Sequence, residues 1–343
     1  MVLLSQILSS YRLTFVHLIF ISQFALWEIP DAVYLRYMIR VGVLRGGTGN
    51  QYERSLETGA YVLKNLPKDT YEVSDIFLDR DGVWHMNGTP LDHEKLMRKV
   101  DVIWNALHGF YGEDGKLQQL LENLGIPYIG AGPLSSAVTM NSKFLKDHLA
   151  KLGVQTPRGI YIEDWGTDDA EETVAAVVAA TAKKFSPPWI VEPIAKGIGK
   201  GGITAKTRAE LVTVLSQMHE LGMPALIEEA VLGKNVSVSS VADFRGESVY
   251  TFLPIQTDAI RTKLQSADSQ ALQNLAKKIH QHMHLGHYSR VEAIISPKGN
   301  IYVKNIETIP AFDKVSDLHH SLAQVGSSFK EFAKHLLGSA IGK

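Results

Sequence analysis

"DVIWNALHGFYGEDGKLQQLLENLG", residues 101–125, decides the fold class. An apolar run closes at Leu107, His108 and Gly109, and a helix begins a few residues on, behind Asp114. Leu117, Leu120, Leu121 and Leu124 follow at the spacing of one helical face, and Gly125 stops it. A strand, a glycine turn and a helix in that order belong to a Rossmann-like unit, in which anionic ligands sit at strand ends and helix N-termini. His108 at such an end reads either as a site residue or as a histidine satisfied within the core.

Toward the N-terminus the same logic recurs. "IRVGVLRGG" (39–47) is a strand, "GGTGNQYERSLETG" (46–59) a glycine turn, and "RSLETGAYVLKNL" (54–66) a helix with Leu56, Ala60, Leu63 and Leu66 on one face. Glu53 near the helix start serves either the helix dipole or a substrate ammonium. "YEVSDIFL" (71–78) adds a strand. The alternation predicts an α/β fold: an extension over residues 1–37, a Rossmann-like domain over 38–134, and a second domain in two lobes, 135–222 and 223–343. In the first lobe, "PPWIVEP" and "GGITAKT" form a hairpin around the glycine loop "IAKGIGKGG". Backbone N–H groups there, with Lys196 and Lys200, suit phosphate, and a plain surface hairpin explains the loop as well.

The last lobe holds "RVEAIISPKGNIYVKNIET", residues 290–308, two apolar strands about a Pro-Lys-Gly-Asn turn. Pairing from that turn sets Ser296 opposite Ile301, Glu292 opposite Asn305 and Arg290 opposite Glu307. Alternation then brings all four polar side chains of the last two pairs to one face. Carboxylate and amide oxygens without cysteine suit a hard cation, Mg2+ or Mn2+. The other reading is a charged cross-strand pair on a solvated face.

Composition narrows the classes. The chain has 343 residues, a formal charge of -1 and no cysteine, so it carries no disulfide and no electrostatic case for nucleic acid. The uncharged run Leu13 to Trp27 is shorter than a membrane span, lacks a basic cluster before it and a cleavage signature after it. Membrane attachment is therefore not expected, and the location expected is cytoplasmic.

In order and together, these segments resemble the D-alanine–D-alanine ligases of the ATP-grasp superfamily, from about Met38 to Lys343. "ALHGFYGEDGKLQQLLENLGIPYIGAG" (106–132) follows the family nearly residue for residue. "GGTGNQYERSLETG" matches its opening motif, GG-x-S-x-E-x-E-V-S-L-x-S-G, more loosely. The resemblance implies an ATP- and Mg2+- or Mn2+-dependent carboxylate–amine ligase that works through an acylphosphate in peptidoglycan precursor synthesis, with amino-acid substrates and a homodimer. It puts the substrate-anchoring glutamate on Glu53 and the motif serine on Ser55, a nucleotide-phosphate lysine on Lys146, and the adenine hinge on Glu228, Glu229 and Val231. Asn235 takes the ribose position, Arg290 the transition-state arginine, and Glu292, Asn305 and Glu307 the metal. One departure stands out: Glu192 replaces a phosphate lysine, a reversal that Lys196, Lys200 or Lys206 would have to offset. An ATP-grasp ligase for another amino acid, or a nucleotide-binding protein without turnover, are the alternatives.

Overall fold

The computed structural model describes residues 38–166, 169–194, 202–257 and 264–342. Ile39–Lys343 form one compact unit, to which every element named below belongs. The run Leu13 to Trp27, Lys196 and Lys200 lie outside the described residues.

Three sheets follow one another along the chain. The first has the order β4-β3-β2-β1-β5-β6, built from β1 (Ile39–Gly46), β2 (Tyr71–Leu78), β3 (Trp84–Met86), β4 (Thr89–Pro90), β5 (Val102–Asn105) and β6 (Tyr128–Ile129). Its central strands are parallel because helices α1 (Tyr52–Asn65) and α2 (Lys116–Asn123) carry the crossovers. β5 ends at Asn105 rather than Gly109, so Leu107 and His108 belong to the turn. Asn105 closes it, its Oδ1 accepting from Leu107 N at 3.0 Å and its Nδ2 donating to Gly112 O at 2.9 Å.

α3 (Pro133–Met140) and α4 (Ser142–Lys151) lead to the second sheet. Asn141 caps α4, accepting from the backbone of Lys143 and Phe144. β7 (Gly159–Ile162), β8 (Trp189–Pro193), β9 (Ile203–Ala205) and β10 (Ala225–Glu229) pair antiparallel in the order β7-β10-β8-β9. α5 (Ala170–Lys184) and α6 (Arg208–Glu220) cover one face, where Val174, Leu211 and Leu215 pack on Trp189 and Val191.

The third sheet runs β12-β11-β14-β15, from β11 (Lys234–Phe244), β12 (Glu247–Thr251), β14 (Tyr288–Ile295) and β15 (Ile301–Glu307), with β13 (Ile255–Gln256) on β11. α7 (Ser266–His282) buries Leu272, Ala276 and Ile279 against Val236, Val238 and Val291. In the β14–β15 hairpin Arg290 pairs with Glu307 and Glu292 with Asn305, as expected. Nearer the turn the expected register is wrong: Ile301 faces Ile295, not Ser296, because a β-bulge takes up Lys304 as an extra residue.

Two C-terminal helices complete the fold, α8 (Asp317–Gln324) and α9 (Phe329–Ile341). α9 joins the first and third sheets in one core: its Phe332 and Leu336 pack with Val41, Val43 and Trp104 on one side and Val241 and Tyr288 on the other. That shared core fixes the turn after β5 relative to β14.

The face expected to bury α1 is also corrected. Ser55, Thr58, Gly59 and Val62 are buried, while Ala60 is exposed and Leu56 and Leu63 only partly covered. Two physical causes turn the helix: the hydrogen bonds that join Ser55 and Thr58 to His108, with Ser55 Oγ accepting from the His108 N–H, and the close approach that Gly59 allows to β1. A Cβ at Gly59 would sit 2.5 Å from Cβ of Arg45. Gly59→Ala should therefore lower stability by about 1–3 kcal/mol, outweighing the helix-propensity gain, and thermal denaturation should show a drop of several degrees.

Candidate active site

A cavity of about 540 Å³ opens between the sheets, lined by Gln51 and Glu113 from the turns beside the first sheet, Glu192 and Glu228 from the second sheet, and Glu292 and Asn305 from the third. At one end Arg290, 15% exposed as a side chain, is ion-paired to the lining residues Glu292 and Glu307. Its Nη1 donates to Asp317 at 2.7 Å, its Nη2 to Glu292 at 2.7 Å and its Nε to Glu307 at 3.1 Å. Burial works against this guanidinium's charge, but Glu307, Glu292 and Asp317 outweigh it and raise its pKa. Glu307 shows the mirror effect. Burial opposes its charge, yet Arg290 and Arg54 hold its carboxyl below the usual range.

His108 is buried, with its Nε2 2.9 Å from Thr58 Oγ1 and its backbone N–H donating to Ser55 Oγ at 2.9 Å. Burial first, and the nearby Arg54 second, push its pKa down to about 3. The ring is thus neutral at ordinary pH and anchors α1 to the turn. Glu53 is not brought into the cleft. Its carboxylate is 77% exposed and meets Arg80 at 3.4 Å, because the first turn of α1 points it toward the β2–β3 edge. The cleft receives Gln51 and Arg54 from that turn instead.

At the other end, buried Lys146 is ion-paired with Glu228, which lines the cavity. The Glu229 carboxylate turns away to Arg158, whose Nε donates at 2.8 Å and whose hydrogen bonds hold the acid below its usual range. Val231 and Asn235 line the cavity beside Lys304, whose Nζ lies 3.4 Å from Asn235 Oδ1. Glu192 also faces the cavity and accepts from Ser142 Oγ at 3.3 Å. Lys206, expected to offset it, is exposed and does not line the cavity.

Glu292, Asn305 and Glu307 do share one face and one cavity, and Asn305 Nδ2 donates to Glu292 Oε2 at 3.2 Å. Among the described residues no three His, Asp or Glu side chains converge as a metal-holding group. A cation here would rest on two carboxylates, an amide oxygen and ligands from the nucleotide, which is what magnesium commonly takes. Glu292, Glu307 and Asp317 against Arg290 and Arg54 also leave one negative charge unbalanced. The donor set therefore fits a hard divalent ion.

Two cleft residues, Arg54 and Lys304, and Asp317 behind Arg290 escaped the sequence. Asp317 opens α8 behind the capping residue Ser316, whose Oγ accepts from His319 N–H, but that cap marks only the helix start and not the contact with Arg290. Arg54 follows from the phase of α1. Lys304 carries no sequence signal, because only the bulge turns it inward.

Comparison with known proteins gives a consistent result. A model described as D-ala D-ala ligase N-terminus matches residues 87–131, and one described as D-ala D-ala ligase C-terminus matches 250–338. A D-alanine–D-alanine ligase of Aquifex aeolicus is 30% identical over 307 residues, covering 85% of this chain and 98% of the relative. Among solved structures, the D-alanine-D-alanine ligase from Coxiella burnetii superposes with a TM-score of 0.79 at 21% identity, covering 89% of this chain and 95% of its own. That from Bacillus anthracis complexed with ATP gives 0.72 at 23% identity, over 89% and 97%. The fold is thus the ATP-grasp fold of these ligases.

The state of His108 sets a pH dependence. Its folded pKa lies below the unfolded value of 6.5, so as pH falls the unfolded chain takes up the proton first and the folded state loses ground. From about pH 7 to about pH 5 this one group should remove roughly 2 kcal/mol. His108→Gln, which keeps a hydrogen-bonding partner for Thr58, should abolish that share, measured as the difference between denaturant titrations of the two proteins at each pH.

Proposed function

The chain belongs to the D-alanine–D-alanine ligase family, and we propose that it is an ATP-dependent ligase that joins small amino acids by a C–N bond, D-alanine being the one its relatives are named for. Its product would feed peptidoglycan precursor synthesis. A cytoplasmic setting and a homodimer go with this reading. Among the described residues no helix is long and apolar enough to cross a membrane.

One observation carries the proposal: the oxygen set of Glu292, Asn305 and Glu307 shares a single cleft with the Glu228 hinge, and Arg290, pinned by three carboxylates, is ion-paired to two of those cleft acids. In the reaction a substrate carboxylate oxygen attacks the γ-phosphorus of ATP, ADP leaves, and a second amine attacks the acylphosphate and expels phosphate. Glu228 and the backbone at Val231 would hold the adenine, Asn235 the ribose, and Lys146 would balance Glu228 beside the phosphates. Lys196 and Lys200 of the glycine loop would supply positive charge to the triphosphate. Lys304, facing the same cavity as Glu192, supports phosphate binding where the family's lysine is missing.

Glu292, Asn305 and Glu307 would hold Mg2+ or Mn2+, which when bound neutralises charge on the transferring phosphoryl group. Arg290 cannot relax away from an anion, because its ion pairs fix its plane; it stabilises the oxyanion of the tetrahedral intermediate without reorganising. His108, held neutral, supports the turn and adds no charge. Glu192 favours the rival reading of a nucleotide-binding protein without turnover, since a carboxylate beside phosphate weakens binding.

The test is ADP release by the purified full chain with ATP, magnesium and amino acids. Release stimulated by D-alanine or another small amino acid is expected, and its absence with every amine would leave the rival standing. Glu292→Ala should reduce turnover by at least about a hundredfold. Lys304→Ala should raise the KM for ATP about five- to tenfold with a smaller effect on kcat, as loss of one charge-assisted contact to phosphate would.

A further inference from the structure

Two side chains at the amino-acid end of the cleft differ in charge from the motif that this stretch resembles. In GG-x-S-x-E-x-E-V-S-L-x-S-G the first glutamate falls on Gln51 and the valine on Arg54. The pair goes from one negative charge to one positive. Both residues line the cavity.

Arg54 is loosely held there. Its Nη1 lies 3.3 Å from Gln51 Oε1 and its Nη2 3.4 Å from Glu307 Oε1, against 2.7 to 3.1 Å for the three contacts of Arg290. Its side chain is 39% exposed, that of Arg290 15%. Arg290 and Glu307 satisfy one another, so Arg54 can turn to a ligand without leaving Glu307 unpaired. A bland reading makes Arg54 a mere counterion for Glu307. Such a role would favour a short, bidentate contact, which Arg290 makes and Arg54 does not. Gln51 at the N-cap and Arg54 in the first turn of α1 stand at the positive end of a 14-residue helix.

We propose that Arg54 and Gln51 form a subsite for an anionic group on the amino-acid substrate, so that one of the two amino acids joined carries a second carboxylate, as aspartate and glutamate do. Arg54 would grip that carboxylate through its planar fork, and Gln51 would donate from its amide to the same oxygens. The neutral partner, D-alanine or a similar amino acid, would occupy the remaining subsite. The proposal rests on the ligase reading and names its substrate class.

The experiment has a binding arm and a turnover arm. D-aspartate and D-asparagine, which differ in charge but hardly in shape, are titrated calorimetrically into the full chain with magnesium and a non-hydrolysable ATP analogue; D-glutamate with D-glutamine and the L-forms follow. An acid should bind about ten- to a hundredfold tighter than its amide, as expected for a charge-assisted contact. Arg54→Val should erase that difference, and Arg54→Lys should restore part of it. In the turnover arm, ADP release should have a higher kcat/KM with D-alanine plus the preferred acid than with D-alanine alone, and Arg54→Val should reverse that order. Equal binding of acid and amide, or a preference that survives Arg54→Val, overturns the subsite. A preference that depends on Arg54 but comes with no ADP release for any pair supports the subsite and removes the ligase reading.

Discussion

A buried guanidinium is tolerable only when its hydrogen bonds are met by charge, and Arg290 meets this demand with three carboxylates drawn from three places: Glu292 on its own strand, Glu307 across the hairpin and Asp317 at the head of α8. Removing any one would leave a buried N–H of the guanidinium without its acceptor. The hairpin register, the start of α8 and the floor of the cleft are therefore a single constraint. Ser237 ties β11 into it as well, donating to Asp317 at 2.7 Å.

The constraint reaches the first domain through packing as well as charge. α9 binds both sheets in one apolar core, so the turn holding His108 is fixed relative to β14. Ser55 and Thr58 then orient α1 on that turn, and its first turn delivers Gln51 and Arg54 to the cleft. The nucleotide end is organised differently, by the Lys146–Glu228 pair and by the turning of Glu229 toward Arg158. Charges at that end are neutralised in pairs, whereas the Arg290 end keeps a surplus of negative charge suited to a cation.

Much of this was legible in the residues. Alternation of strand and helix gave the α/β class, and cross-strand counting put Glu292 opposite Asn305 and Arg290 opposite Glu307. What failed did so for identifiable causes. The apolar spacing of Leu56, Ala60 and Leu63 suggested the wrong face for α1, because polar contacts from Ser55 and Thr58 and the closeness allowed by Gly59 override it. Glu53 fitted a motif by spelling, yet the same helix phase sends it to Arg80. Asp317 is far from the hairpin in sequence, and no local pattern announces that a cap residue's neighbour will meet Arg290.

The extra residue in β15 has a further effect on the inside and outside of the sheet. In an unbroken strand Val303 and Asn305 would project the same way, but here Val303 is buried with α7 while Asn305 faces the cavity. Lys304 is the hinge at which the strand changes sides. Shortening the chain by that single residue would send the aliphatic half of the hairpin into water or the polar half into oil, so this position tolerates exchange of its side chain far better than loss of its backbone.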